Sequence, residues 1–80
     1  MKEKVEELAT EKDIDALKDG ALVRTALPGV TGTAMVQRTH PQVDLGKYDV
    51  IGFETQDAVA YWRRETLDVQ GNKIVPKYSI

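Results

Sequence analysis

His40 is the single histidine of an 80-residue chain that contains no cysteine, so few catalytic or metal-binding arrangements are open to this sequence. A structural zinc site takes four Cys or His ligands, and a Ser–His–Asp relay needs a histidine held between two fixed partners. Because His40 precedes Pro41 in a loop-like stretch, we interpret it as an exposed and structurally neutral side chain. The sequence therefore predicts no metal, no cofactor and no histidine-based catalysis.

Two further patterns could carry chemistry, and both have a simpler structural interpretation. Glu54 and Asp57 could act as an acid and a base, but they flank a turn, where carboxylates are ordinarily hydrated. Residues 29–32 (GVTG) match the GxxG spacing of loops that clamp nucleotide backbones. Their central residues are uncharged and the next residues favour a strand, so we interpret them as a hairpin turn. We expect no enzyme activity.

Composition and charge argue against a nucleic-acid or membrane partner. The chain is 41% apolar and 30% charged with a net charge of −2, an ordinary globular balance. Residues 1–19 carry four bases and seven acids, whereas residues 20–80 carry seven bases and six acids. A nearly neutral body lacks the broad basic field of a phosphate-binding module. The chain has no signal-peptide pattern and no apolar run of membrane-spanning length, so we expect a cytoplasmic protein without a membrane partner.

The first structural element is an N-terminal segment, residues 1–19, whose composition is typical of helices. Val5 and Leu8 would lie on nearly the opposite side of one straight helix from Ile14 and Leu17. We therefore predict two short helical pieces that meet near Thr10. A frayed, solvated charged arm is the alternative.

Residues 20–70 have the alternating apolar pattern and turn residues of a small β domain. The predicted strands are residues 21–27, 33–39, 48–55 and 58–64, with 68–70 completing the sheet. Short connections favour an antiparallel meander that curls into a barrel, because a flat sheet of this size would expose both edges. Pro28 and Gly29 predict a loop rather than a helix between the first two strands. Whether the tail, residues 71–80, adds an extra strand stays open.

Three segments resemble the SH3-like small β-barrel superfamily over about residues 17–70. They are residues 17–24 (LKDGALVR), residues 32–36 (GTAMV), and the hairpin of 48–53 and 59–62 with the turn at 65–68. The resemblance implies a mainly β, SH3-like five-stranded small barrel preceded by a short N-terminal helical segment. Members of this superfamily have many functions, so the resemblance does not select one.

Two functions found on such barrels fit this sequence poorly. Plasmid-type (type II) dihydrofolate reductase has a similar barrel with a Val-Gln-Ile-Tyr motif, which aligns with residues 59–62 here. Ala60 stands where that resemblance would require the ligand-contacting glutamine. The acidic and aromatic loop of proline-binding SH3 domains is also absent, so we do not expect a polyproline ligand.

Alternation along the strands predicts an apolar strip on the outer face of the barrel. Met35, Ile51 and Trp62 would point outward, with Gly52 as a bulge that returns Phe53 to the core. The residues predicted to point inward are Val23, Ala34, Val36, Val50, Val59, Tyr61 and Leu67. Either the N-terminal segment covers the strip, or the strip is an exposed partner site rimmed by Arg64, Gln37 and Arg38.

We therefore predict a protein-interaction module or accessory subunit that binds a macromolecular partner. The predicted partner-binding residues are Trp62, Arg64, Met35, Ile51 and Arg38. A nucleic-acid-binding barrel is the alternative, with Trp62 or Tyr61 stacking on bases and phosphates held by Arg38, Arg63, Arg64 and Lys47. A regulator or inhibitor of another macromolecule, and an enzyme site formed at an oligomer interface, also remain open.

Overall fold

The computed structural model describes residues 4–78 of the chain, which fold into one curled half-barrel of six strands. The strands follow the spatial order β4-β3-β2-β1-β6-β5, so β4 and β5 are its edges. Their bounds are β1 Leu22–Leu27, β2 Val30–Gln37, β3 Val50–Glu54, β4 Val59–Arg63, β5 Leu67–Gln70 and β6 Lys73–Pro76. Two 3₁₀ helices, Glu11–Ala16 and Arg64–Thr66, precede β1 and β5 respectively.

The predicted mainly β fold is confirmed, and the first four strands form an antiparallel meander, but the sheet has six strands and includes one parallel pairing. The C-terminal tail supplies the sixth strand, which pairs antiparallel with β5 and parallel with β1. Gly71 and Asn72 both have positive φ, 59° and 64°, as tight two-residue hairpin turns require. The turn folds the tail back, and Ile74 becomes fully buried between β1 and β5.

The β1–β2 hairpin follows the predicted turn chemistry. Gly29 has a φ of 83° and turns the chain directly after Pro28, and no helix forms across residues 27–36. The buried Thr25 hydroxyl lies 3.0 Å from the Val30 carbonyl and 3.2 Å from the Gly32 carbonyl. No helix forms there, as predicted, but the connection is a two-residue turn, because residues 25–27 belong to β1 and residues 30–32, interpreted as a turn, belong to β2.

The N-terminal segment packs into the core instead of fraying. No helix forms across residues 4–10; Val5 makes a parallel bridge to Leu22, and the chain becomes helical only at Glu11. The Asp13 carboxylate accepts from the main-chain N–H groups of residues 9 and 10 at 2.7 and 3.0 Å, which fixes the start of this helix. Within residues 4–19, only the second of the two predicted helical pieces is present, as a 3₁₀ helix.

One core cluster joins the segment to the sheet. Its members come from the N-terminal segment and from all strands except β4. They are Leu8, Ile14, Leu17, Val23, Leu27, Val30, Ala34, Val36, Ile51, Phe53, Leu67 and Ile74. Within residues 4–78, no helix has the length and apolar character needed to cross a membrane.

Candidate functional site

The register of the β3–β4 hairpin decides which side chains reach the surface. Ile51 lies opposite Trp62 and Phe53 lies opposite Ala60, so both pairs share the inner face. Ile51 is only 1% exposed, and Trp62 is half-buried against the core. The predicted outward strip of Met35, Ile51 and Trp62 is therefore wrong for the latter two residues.

The error lies in the alternation predicted for both strands of the hairpin, including the bulge at Gly52. The predicted bulge is absent, because residues 50–54 pair one to one with residues 59–63. With uninterrupted alternation, Ile51 and Phe53 must point to the same side. Tyr61 and Val59, both predicted to be buried, are instead 42% and 47% exposed.

On the outer face, Gly52 makes room for Tyr61. A Cβ atom at residue 52 would lie 2.8 Å from Cε1 of Tyr61 and 3.0 Å from Cβ of Gln37. Carbon atoms do not approach this closely in ordinary packing, where contacts are about 3.5–4 Å. The glycine therefore allows the aromatic ring to lie across β3 toward β2, an arrangement in which an aromatic side chain covers a strand glycine.

Three groups hold the Tyr61 ring in that position. Its hydroxyl donates to Oε1 of Gln37 at 3.2 Å, and Nε2 of Gln37 donates in turn to Oε1 of Glu54 at 2.6 Å. The His40 ring meets it edge-on, with centroids 5.9 Å apart and planes at 77°. This is the edge-to-face geometry that aromatic pairs favour.

The loop between β2 and β3, residues 38–49, completes an apolar hollow beside this ring. Leu45 is buried and its carbonyl accepts from the Val50 N–H at 3.0 Å, which ties the loop to the sheet. The Asp44 carboxylate accepts from the Lys47 N–H at 3.1 Å. The hollow has a volume of about 230 Å³ and is lined by His40, Val43, Leu45, Tyr48, Val50 and Tyr61. We call it the Tyr61 groove.

The walls of the groove are accessible, and its polar groups lie at the margin. Tyr48 is 55% exposed, and Val43 is also exposed. The Lys47 ammonium lies 5.5 Å from the centre of the Tyr48 ring, a cation–π distance. Such a surface can bind aliphatic or aromatic side chains.

Arg64, a predicted partner-binding residue, lies in an internal clamp. Its Nε donates to Asp15 Oδ1 at 2.7 Å and its Nη2 donates to Oδ2 of the same carboxylate at 3.3 Å. Nη2 also donates to the Glu11 carbonyl at 2.7 Å, and the side chain is only 12% exposed. Arg64 thus fixes the first 3₁₀ helix to the end of β4 and is not a free guanidinium.

Arg38 has the same role at the other end of that helix. Its Nε donates to the Leu17 carbonyl at 2.9 Å and its Nη2 donates to the Ile14 carbonyl at 2.6 Å. The Ile14 carbonyl also accepts from the Leu17 N–H at 3.1 Å, so Arg38 adds a side-chain donor at the C-terminal end of this helix. Of the five predicted partner-binding residues, only Met35 lies exposed on the outer face, opposite Glu54 and outside the Tyr61 groove.

The clamp also perturbs ionisation. The hydrogen bonds from Arg64 hold the pKa of the Asp15 carboxyl below its usual value, and the pKa of Arg64 is raised in return, chiefly by its hydrogen bond to Asp15. The main-chain N–H groups of residues 10 and 9 likewise lower the pKa of Asp13. All three shifts favour the charged forms that hold the N-terminal segment in place.

The groove residues were missed because each has an ordinary interpretation in the sequence. Tyr61 was placed in the core, Tyr48 in a strand, and His40 in an unspecific loop. One signal could have identified the site: a strand glycine, Gly52, whose cross-strand neighbour is an aromatic residue. This signal becomes visible only after the register is known.

Comparison with known protein families, curated proteins and solved structures finds no significant match to this chain. Functional inference therefore depends on the groove itself.

Proposed function

We propose that this chain is an SH3-like small barrel that binds a protein partner by receiving apolar side chains in the Tyr61 groove. The observation that carries the proposal is a surface hollow with almost wholly apolar walls, flanked by two exposed tyrosines. Tyrosine is enriched among the residues that dominate protein interfaces, and such residues cluster in apolar centres with polar rims.

The fixed geometry of the groove supports binding. Tyr61 is held by the Gln37 hydrogen bond, the His40 ring and the close approach to Gly52. A side chain that contacts hold in one position before binding loses less conformational entropy when a partner docks. The groove is therefore preorganised for an apolar ligand segment, as an accessory subunit or a regulatory module requires.

The SH3-like assignment is supported by the order of elements rather than by a matching family. Four strands joined as antiparallel neighbours are followed by a one-turn 3₁₀ helix, Arg64–Thr66, and a fifth strand. The sixth strand, which lies between β1 and β5, is the departure from a five-stranded barrel. The groove lies on the outer face of β3 and β4.

Fewer residues are available for binding nucleic acid than the sequence indicated. Arg38 and Arg64 are engaged by carbonyl and carboxylate acceptors within the fold. Lys47 and Arg63 remain exposed, and Tyr61 could still stack on a base. Two dispersed cations provide little phosphate attraction, so the protein partner is the stronger proposal.

Selection from a displayed random-peptide library tests the proposal directly. We expect enriched peptides with at least one large apolar residue, and we expect Tyr48→Ala and Val43→Ser each to weaken their binding about tenfold or more, about 1.4 kcal/mol. Tyr78→Ala is the matched control, because Tyr78 is also exposed but lies beside Trp62 and Pro76, away from the groove. Thermal unfolding of each variant establishes that the fold is retained.

Two results would contradict the proposal. One is selected peptides whose affinity is unchanged by both groove substitutions. The other is tight binding of a single-stranded oligonucleotide that falls steeply between about 50 and 200 mM salt, which would favour the nucleic-acid alternative.

A further inference from the structure

The outer edge of β4 has main-chain groups directed away from the sheet. The hydrogen bonds Arg64 N–H to Asp49 C=O and Thr55 N–H to Ala58 C=O, both 2.8 Å, fix the phase of the β3–β4 ladder. In an antiparallel ladder, alternate residues bond to the same neighbour. Ala58, Ala60 and Trp62 therefore bond to β3, and the N–H and C=O groups of the residues between them point outward. No strand of residues 4–78 pairs with that edge.

The outer face beside this edge is open. The Tyr61 ring lies over Gly52 and its hydroxyl reaches Gln37 on β2, so the ring leans away from the edge. Val59 is exposed, and Ala60 has a side chain too small to block an approaching strand. Edge strands of this kind are templates for pairing with another strand.

The sequence of the edge is complementary to itself in the antiparallel register centred on Ala60. If Ala60 of two copies meets across a two-fold axis, the two alanines form a close pair that does not share hydrogen bonds. Val59 then lies opposite Tyr61 of the second copy, and these outward-pointing residues exchange both main-chain bonds. The two-fold axis produces the same exchange twice, so four main-chain hydrogen bonds form.

Charge selects this register over its neighbour. With Ala60 on the axis, Asp57 lies opposite Arg63 of the second copy, and the reverse pair forms on the other side of the axis. Centring on Tyr61 instead would set Asp57 opposite Glu65, a like-charge pair that is destabilising. Arg63 is free to exchange partners, because its bond to Glu65, 3.2 Å long, joins side chains that are 68% and 70% exposed.

We infer that a second copy of this chain pairs with β4, which produces a two-fold dimer with a continuous twelve-stranded sheet. Only one short strand from each copy meets at the interface, so the dimer is weak and depends on concentration. The interface adjoins the Tyr61 groove, because the main chain of Tyr61 pairs with the second copy while its ring lines the groove. Dimerisation would display two grooves on one particle, which strengthens the binding of a partner with two matching segments.

Sedimentation velocity from about 20 µM to about 1 mM tests the inference, with dissociation expected in the micromolar to millimolar range. Val59→Pro removes an outward N–H without disturbing the β3 ladder, and should abolish the dimer. Asp57→Lys and Arg63→Glu should each weaken it about tenfold. The double variant restores the opposite-charge pair and should regain most of the loss.

A chain that stays monomeric at about 1 mM overturns the inference. So does a dimer that Val59→Pro leaves intact, or single charge reversals that the double variant fails to rescue. Circular dichroism establishes that each variant is folded. Peptide binding to the groove, measured on monomeric Val59→Pro protein, tests the proposed function independently, so either proposal can fail without the other.

Discussion

The two faces of the β3–β4 hairpin differ in how their apolar side chains are used. On the inner face, Ile51, Phe53 and Trp62 pack against the core that the N-terminal segment completes. On the outer face, Tyr61 lies across Gly52 and forms a wall of a groove that remains open. Neighbouring residues of one strand thus serve stability on one side and provide a binding surface on the other.

The polar contacts of the two faces differ in the same way. The arginine clamps beneath the sheet join carboxylates and carbonyls across large distances in sequence, as from Arg64 to Asp15. Above the sheet, the relay from Glu54 through Gln37 to Tyr61 only orients one ring. We conclude that the two faces are told apart by the hydrogen bonds of their polar groups more than by the hydrophobicity of their side chains. The structural face is tied to distant segments, whereas the candidate binding face is not.

Truncating one residue on each face should show the largest difference in folding stability between the two faces. Ile51→Ala removes a fully buried side chain and should destabilise the fold by about 3 kcal/mol, through lost burial and the cavity left behind. Val59→Ala, on the exposed face of the same hairpin, should change stability by about 0.5 kcal/mol or less. Urea unfolding at low protein concentration measures both.

Equal costs for the two substitutions would show that the faces are not distinct. An Ile51→Ala protein as stable as the wild type would show that Ile51 is exposed, as the sequence indicated. The stability of Val59→Ala is measured at protein concentrations at which the chain is monomeric, so that pairing at the β4 edge does not contribute to the measured stability.

The second contrast is between two adjacent arginines. Arg64→Met keeps the aliphatic volume but removes four contacts to Asp15 and Glu11, and should cost about 2 kcal/mol, since hydrogen bonds to charged groups are worth about 1.5–3 kcal/mol. Arg63→Met loses only an exposed ion pair with Glu65 and should cost about 0–1 kcal/mol. Chemical denaturation compares them. A larger loss from Arg63→Met would contradict the clamp.

Much of the fold could be predicted from sequence, because turn residues are local signals. Pro28-Gly29 and Gly71-Asn72 mark two hairpin turns regardless of what surrounds them. The pairing of β6 between β1 and β5 could not be predicted, since parallel contact between distant segments leaves no periodic trace. The N-terminal 3₁₀ helix begins directly after Thr10, where the sequence predicts the second helical piece, but the burial of Ile14 depends on tertiary contacts.

The candidate site was harder to predict, because the alternation of β3 and β4 was assigned to the wrong faces. A shift of one residue in alternation moves every side chain to the other side of a sheet. Placing Val59 and Tyr61 inward put Trp62 on the outer face, and a bulge at Gly52 was then needed to keep Phe53 in the core. The arginines were misplaced for a different reason: their acceptors, such as the Ile14 carbonyl, are main-chain atoms invisible in the sequence.

Gly52→Ala tests whether the Tyr61 ring packs on Gly52 on the outer face. The added methyl would overlap the Tyr61 ring and should destabilise the fold by about 1 kcal/mol, because the ring is exposed and can move. In a Tyr61→Ala background the same change should cost much less. A double-mutant cycle measures this coupling. Equal costs in both backgrounds would mean that the ring is not seated on Gly52.

The smallest expected effect is the pH dependence of the inner clamp. Because the folded-state pKa of Asp15 is lowered, chiefly by Arg64, its contribution to stability is fully present above the unfolded-state value, about 3.9, and is lost as pH falls through the folded-state value. Asp13 has the same sign from its main-chain donors, so the wild-type protein should lose stability progressively below about pH 4. Asp15→Asn should be slightly less stable than wild type near neutral pH, and the difference should narrow as Asp15 is protonated. Urea midpoints at several pH values measure this convergence. A difference that stayed constant into acid would show that the charge of Asp15 does not hold the N-terminal segment, and that the inner face is stabilised by its apolar contacts alone.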